Sequence, residues 1–152
     1  MARTFVGGKQ VLTTEVTTPI SVAGQFETLL GTWSTSDLQH FDSPANGQLR
    51  HIGNNPREYK IQSDLTIEWT ANDEIDVKIV KWDNSESMFV DIFIQIRQVN
   101  NIVGGRDVAF YTILSNVILD KNDYIYLEVA NIDGTGDVTL ELDWFLQLET
   151  RG

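Results

Sequence analysis

Two histidines are the side chains of this sequence that most invite metal or acid–base chemistry. His40 and His51 flank an Asn46-Gly47 pair, which is a strong signal for a two-residue hairpin turn. The hairpin could bring the two imidazoles opposite each other, so a two-histidine metal site is conceivable. A zinc site needs at least a third protein ligand, however, and none stands at a useful spacing. We therefore expect turn or surface histidines and no bound metal.

Acidic residues are numerous, and three groups of them could do chemistry. The segment Asp133–Asp137 has the aspartates and glycine of a calcium loop but lacks the series of oxygen ligands that ends in a bidentate glutamate. The pairs Asp73–Glu74 and Glu141–Asp143 could form a glycosidase dyad, yet both fall on predicted turns or on the solvated face of a strand. Phosphate-binding and nucleophile-elbow motifs are absent from the sequence. We predict no enzyme and no cofactor.

The net charge of the chain limits the classes of partner that it could bind. Lys and Arg total 11 against 22 Asp and Glu, a formal net charge of −11. Binding of nucleic acid or of an anionic membrane depends on cationic side chains, so both partners are disfavoured. The charge either keeps the molecule soluble or suits a protein on the outer side of a shell around packaged nucleic acid.

Two further absences bear on where the chain works. It has no cysteine, so a disulfide framework and thiolate metal sites are excluded. No run approaches the roughly 20 apolar residues of a membrane span, and the N-terminus lacks the apolar core of a secretory signal. We expect synthesis in a cytoplasm and no membrane partner.

Alternation of apolar and polar residues is the dominant pattern of the chain. Over residues 59–69 the odd positions are apolar or small and the even positions are polar, which predicts a half-buried strand. The same alternation predicts core residues in later strands: Ile75, Val77, Ile79, Ile125, Leu127, Val129, Val138, Leu140, Leu142, Trp144, Leu146 and Leu148. Turn residues separate these runs, and no segment has helical periodicity. About eight strands separated by short turns indicate an all-β sandwich or jelly roll.

Two strands depart from this alternation. Residues 88–96 are apolar at even positions but carry Phe89 and Phe93 at odd ones, and residues 108–114 are apolar on both faces. A strand with two apolar faces needs a cover on its outer side. A loop could supply it, but we favour a subunit interface, because aromatic residues are enriched at such contacts.

The N-terminal segment has a different composition. Residues 9–20 are rich in threonine, with apolar residues spaced along them. We predict an extended arm over residues 1–23 and a jelly-roll domain over residues 24–152. The arm is expected to dock on other subunits through four apolar residues: Phe5, Val11, Val16 and Ile20.

Two motifs resemble those of a known family. Residues 46–53 read Asn-Gly-Gln-Leu-Arg-His-Ile-Gly, and residues 117–131 contain the sequence Asn122-Asp123-Tyr124-Ile125. They are similar to the C1q/TNF-like jelly rolls of bacteriophage virion proteins, in which an N-G-x-[LI]-x-[YH]-x-G hairpin leads into a long strand and a [GN]-D-Y-I segment precedes the last strand. The resemblance covers about two thirds of the chain, from Phe41 to Leu148. Asn122 stands where many relatives have glycine.

The resemblance implies a fold and an assembly. It implies a jelly-roll β-sandwich of eight to ten strands that packs as a homotrimer, and it does not imply an enzyme. Strand faces rich in aromatic residues would meet near the threefold axis. The residues we place there are Phe89, Phe93, Tyr111 and Phe145.

The resemblance also implies a virion role, in one of two settings. The first is a capsid decoration or cement trimer that binds the major capsid protein on the outside of a bacteriophage head and stabilises capsomer contacts. The alternative is the knob of a fibre or tail protein, which binds a receptor or a surface glycan. The sequence has no heptad or other repeats that would form a shaft, so we favour decoration.

Overall fold

A computed structural model describes residues 7–69, 73–98, 102–103, 106–141 and 145–150, and these residues form fourteen β-strands. The described residues contain no helix, and therefore none that could cross a membrane. The strands are β1 (Gly7–Glu15), β2 (Thr17–Thr18), β3 (Glu27–Thr28), β4 (Gly31–Gln39), β5 (Phe41–Asp42), β6 (Leu49–His51), β7 (Arg57–Trp69), β8 (Glu74–Asp83), β9 (Met88–Gln98), β10 (Ile102–Val103), β11 (Arg106–Leu119), β12 (Tyr124–Asn131), β13 (Val138–Leu140) and β14 (Phe145–Thr150).

The strands form two sheets. Sheet A has the order β10-β11-β7-β14-β1-β4, with β13 pairing to β2 and β7. Sheet B has the order β5-β6-β12-β8-β9, with β3 pairing to β12. All the pairings are antiparallel. This confirms the predicted all-β jelly-roll sandwich.

The alternation of apolar and polar residues along β7 determines which face of this strand packs against sheet B. Its odd positions from Tyr59 to Ile67 are all buried, whereas Glu58 and Lys60 are exposed. In β8 and β12 the predicted inward residues are likewise buried, including Ile79 and Leu127. Because side chains alternate between the faces of a strand, these residues converge in one core between the two sheets.

The last predicted strand, residues 138–148, is two strands in the structure. Leu140 pairs with Ile67 and Phe145 pairs with Asp64 on the same strand β7. Between these pairings β7 advances three residues (67 to 64) while its partner advances five (140 to 145), so the register against β7 differs between β13 and β14. Leu140, Leu146 and Leu148 are buried as predicted; residues 142–144, which include Leu142 and Trp144, lie outside the described residues.

The predicted N-terminal arm is largely a strand of the sandwich. Residues 7–15 form β1, which pairs with β14 on one side and β4 on the other. Residues 17–18 form β2, which pairs with β13. This part of the chain therefore completes its own protomer's sheet A, because its backbone hydrogen bonds are made there.

Candidate binding surfaces

The hairpin turn at Asn46-Gly47 is fastened to the neighbouring strand β4. Gly47 has a φ of +84°, and a Cβ placed on it would lie 2.5 Å from the indole Nε1 of Trp33. Both features require glycine. The side-chain oxygen of Asn46 accepts a hydrogen bond from the backbone N–H of Trp33 at 3.1 Å, and its amide nitrogen donates to the Gly31 carbonyl. The turn therefore holds Trp33 at the sandwich surface.

The turn before β12 is organised by a buried carboxylate. Asp123 is fully buried, and its oxygens accept hydrogen bonds from the backbone N–H groups of Asn84 and Asp120, each at 2.9 Å. The ammonium of Lys81 lies 3.8 Å from the same carboxylate. Asn122 has a φ of +72°, a conformation that asparagine tolerates better than most residues. Asn122 and Asp123 of the second motif therefore stabilise the turn that precedes Tyr124.

The two histidines differ in burial. His40 is exposed, whereas His51 is completely buried, which corrects the expectation of a turn or surface residue. Nδ1 of His51 lies 3.1 Å from the Asp120 carbonyl oxygen, and its ring packs edge-on against Phe41 and Tyr59. Burial lowers the pKa of His51. Among the described residues no group of three or more His, Asp or Glu side chains could hold a metal ion.

Four aromatic rings cover one end of the outer face of sheet B. The ring centroids of Trp82 and Phe89 are 4.7 Å apart, and Phe89 lies 6.1 Å from Tyr126. Tyr124 stacks on Trp82 at 6.3 Å. These residues share a face because the antiparallel register pairs Trp82 with both Tyr124 and Phe89. Aromatic side chains gathered at a protein surface mark a candidate binding site.

A cleft of about 170 Å³ opens beside these rings. We call it the aromatic cleft, and its principal lining residues are Trp33, Gln48, Thr28, Phe89, Tyr124 and Tyr126. They come from β4, the hairpin turn, β3, β9 and β12. The cleft therefore joins segments that are far apart in the sequence.

Exposed apolar side chains concentrate on two strands at one edge of the sandwich. Among the side chains that the structure describes, ten large hydrophobic ones are exposed, and six of them lie on β9 or β11: Met88, Phe89, Ile94, Ile96, Leu114 and Ile118. β9 ends sheet B, and β11 carries β10 only beside Arg106 and Asp107. We call Ile94, Ile96, Leu114 and Ile118 the β9–β11 edge.

A shallow depression of about 350 Å³ lies at this edge between the sheets. Ile92, Val117 and Ile118 supply its apolar lining. The ammonium of Lys81 crosses from sheet B to donate a hydrogen bond to the Ile118 carbonyl at 3.0 Å. Long apolar edge strands are normally covered, so this edge is a candidate contact surface.

The four residues predicted at a threefold axis fall in different environments. Phe89 is 55% exposed and lies in the aromatic cleft. Phe93 packs against the core. Tyr111 is buried inside the protomer, where its hydroxyl donates a hydrogen bond to the Ile75 carbonyl at 2.6 Å. Phe145 pairs with Val11 and Asp64 in sheet A; its side chain lies outside the described residues.

The alternation of side chains along each strand explains why Phe93 and Tyr111 face the core whereas Phe89 is exposed. In β11 the odd residues from Tyr111 to Leu119 face the core, and the exposed apolar residues are the even ones, Leu114 and Ile118. In β9 a register shift opposite Ile79 and Val80 turns Phe93 toward the core. The even positions of residues 112–118 were the signal in the sequence that pointed to the surface.

The four apolar residues that were predicted to dock the N-terminal arm on other subunits also fall in different environments. Val11 is half-buried within β1, Val16 is exposed, and Ile20 is buried in the core. Phe5 lies outside the described residues. Ile20 is therefore a core residue of its own protomer.

The fold is that of the TNF proteins. The chain is similar to the structure of Eiger TNF from S. frugiperda, with a TM-score of 0.76 at 8% identity over 99% of this chain and 94% of that one. It is also similar to murine APRIL, with a TM-score of 0.66 at 10% identity over 97% of this chain and 100% of that one. No protein-family profile and no curated protein matches the sequence. The similarity defines a TNF-like β-sandwich, which confirms the predicted fold.

Proposed function

We propose that the chain is a non-enzymatic structural protein that assembles as a homotrimer through its β9–β11 edge. The observation that carries this proposal is the concentration of exposed apolar side chains on two adjacent edge strands. Such an edge invites uncontrolled pairing unless another surface covers it. In a closed ring of three, each protomer covers the edge of the next. The TNF-like fold is compatible with this arrangement.

We further propose that the trimer decorates the outside of a bacteriophage head, in contact with the major capsid protein. Support comes from the resemblance of residues 46–53 and 117–131 to virion jelly rolls and from the net charge of −11. An acidic protein does not adhere to packaged nucleic acid. The protein would be made in the host cytoplasm and would stabilise the shell by burying area across several capsomers.

The alternative is a receptor- or glycan-binding knob of a phage fibre or tail. The observation that favours it is the aromatic cleft, because concave sites with convergent polar groups bind small ligands. In this setting the trimer would lie at the tip of a fibre rather than on the head.

One experiment separates the two settings. Virions of the phage that carries this gene are purified, the chain is quantified against the major capsid protein by mass spectrometry, and labelled antibody locates it by electron microscopy. Decoration predicts label over the whole head and a copy number comparable with that of capsomers. Label confined to the tail predicts the knob. If purified virions lack the chain, both virion proposals are wrong.

A further inference from the structure

The aromatic cleft contains none of the four residues of the β9–β11 edge, although Phe89 belongs to the same strand β9, and its shape and chemistry indicate a ligand. We propose that it binds one pyranose ring of a neutral saccharide. The inference rests on the cleft alone, and it does not depend on the oligomeric state or on the position of the protein in a virion.

The cleft is built into the fold at an interruption of sheet B. On one side of β12, β6 pairs with Tyr124 and Ile125, and β3 pairs with Glu128 and Val129. The cleft opens over the interval between these two pairings and is lined there by Tyr126. Its walls are therefore backbone-anchored strands, and a ligand would meet a largely preformed site.

The walls of the cleft present both aromatic and amide groups. Phe89 and Tyr124 offer rings to the C–H face of a sugar, whereas Tyr126 is largely buried at 9% exposed, and Trp33, which the Asn46-Gly47 turn holds in place, also lines the cleft. The half-buried side-chain amide of Gln48 also lines the cleft. An amide has two donors and an acceptor, which suits two neighbouring sugar hydroxyls.

The volume of the cleft limits the size of the ligand. At about 170 Å³ it is smaller than the roughly 300–1,000 Å³ of pockets that enclose drug-sized ligands. One six-membered ring fits, whereas a longer chain must extend into solvent. The site is therefore expected to bind one unit of a glycan with the weak affinity of a single-ring contact, and a trimer would add avidity.

Charge selects a neutral sugar over an acidic one. The hydroxyl of Tyr126 donates a hydrogen bond to the carboxylate of Glu128 at 3.1 Å, so negative charge lies just beside the cleft. Lys78 is 3.4 Å from Glu128 and 3.1 Å from Asp91, so it is already shared between two carboxylates. With a net charge of −11, the surface repels sialic and uronic acids over the Debye length of about 8–10 Å.

Saturation-transfer difference NMR on the full chain tests the proposal. The probes are the methyl glycosides of glucose, galactose, mannose and N-acetylglucosamine, with the methyl glycoside of sialic acid as the anionic comparison. We expect transfer to the ring C–H protons of at least one neutral glycoside and at least tenfold weaker binding of sialic acid. Gln48→Ala and Tyr124→Ala should each weaken binding at least tenfold, while Ile52→Ala, on an exposed residue outside the cleft, should not change it.

Several results would overturn the inference. These are no transfer from any of the four neutral glycosides at about 10 mM, a concentration tenfold above a Kd of about 1 mM, equal binding of sialic acid, or unchanged binding by Gln48→Ala. Circular dichroism checks that each variant is folded. Gln48→Ala removes only a partly buried side-chain amide, so it remains informative if Tyr124→Ala does not fold. Binding that depends on Ile52 instead would place the sugar elsewhere.

Discussion

The imidazole of His51 lies inside the sandwich between Phe41 and Tyr59, and its Nε2 has no hydrogen-bond partner among the described residues. Burial disfavours the charged imidazolium and lowers the pKa of His51 below its usual 6.5. The Asp120 carbonyl and the nearby Asp123 act in the opposite direction, while His40 and Arg57 add to the lowering. The folded state therefore favours the neutral imidazole of His51.

This burial predicts a loss of stability in mild acid. A base whose folded-state pKa is lowered takes up protons more readily when unfolded, so its contribution is complete above pH 6.5 and is lost as the pH falls below it. The slope is at most about 1.4 kcal/mol per pH unit. His51→Phe should flatten this part of the profile between pH 7 and 5, measured by urea unfolding.

The matched control for this prediction is His40→Asn. His40 is exposed at a φ of +62°, a conformation that asparagine also adopts, so this variant should lose only the small part of the His51 pKa lowering that His40 itself contributes. The carboxyls of Glu141 and Asp76 have raised pKa values, about 7 and about 6. They therefore make the protein less stable as the pH rises, which is opposite to the effect of His51. They are common to all three proteins, so they cancel in the difference. An unchanged slope in His51→Phe would contradict the prediction.

At the scale of an element, the turn between β11 and β12 depends on its left-handed residue. Asn122 holds a φ of +72° so that the Asp123 carboxylate can reach the backbone of Asn84 and Asp120. We expect Asn122→Ala to lower the free energy of unfolding by about 1 kcal/mol, because a Cβ without a local hydrogen bond strains this conformation. Asn122→Gly should be within about 0.5 kcal/mol of the wild type.

Thermal and urea unfolding of the purified variants measures this prediction. Lys121→Ala is the control, because its exposed side chain only donates a surface hydrogen bond to Asn54 and should change stability by no more than about 0.5 kcal/mol. Equal stability of Asn122→Ala and Asn122→Gly would show that the turn carries no backbone strain.

Alternation predicted the elements well wherever one face of a strand is polar. In β7, β8 and β12 the polar face leaves only one orientation for the strand, so the buried residues follow from the sequence. In β11 both faces are apolar, and period two alone cannot tell Tyr111, which is buried, from Leu114, which is exposed. The division of β13 from β14 depends on register against β7, which no local pattern encodes.

The candidate site was less predictable than the fold. Phe89 stood out because it breaks the alternation of β9, but the sequence assigned it to a threefold axis and not to a cleft. Gln48 and Thr28 did not stand out, because the cleft arises where β6 and β3 leave an interval along β12. That interval depends on how three segments distant in sequence pair with one another, so no local pattern reveals it. The residues themselves are ordinary turn and strand residues.

For the whole molecule, the proposed trimer balances apolar burial against charge. Each protomer carries −11, so three copies repel one another and only the area buried at the contact holds them together. Stability should then depend on protein concentration, because association favours the folded state by mass action. Screening the repulsion should tighten the trimer, as the Debye length falls from about 30 Å at 0.01 M salt to about 3 Å at 1 M.

The β9–β11 edge makes the trimer testable by single substitutions. Ile118→Asp and Leu114→Asp each place a charge at an exposed apolar position that the proposed contact would desolvate, which should weaken association by at least about 2 kcal/mol. Sedimentation velocity should show trimers for the wild type and folded monomers for both variants, with partial recovery of the trimer at high salt. Ile52→Asp, also exposed but outside β9 and β11, should remain trimeric. A wild-type protein that sediments as a monomer at all concentrations, or edge variants that stay trimeric, would show that three copies do not meet through this edge.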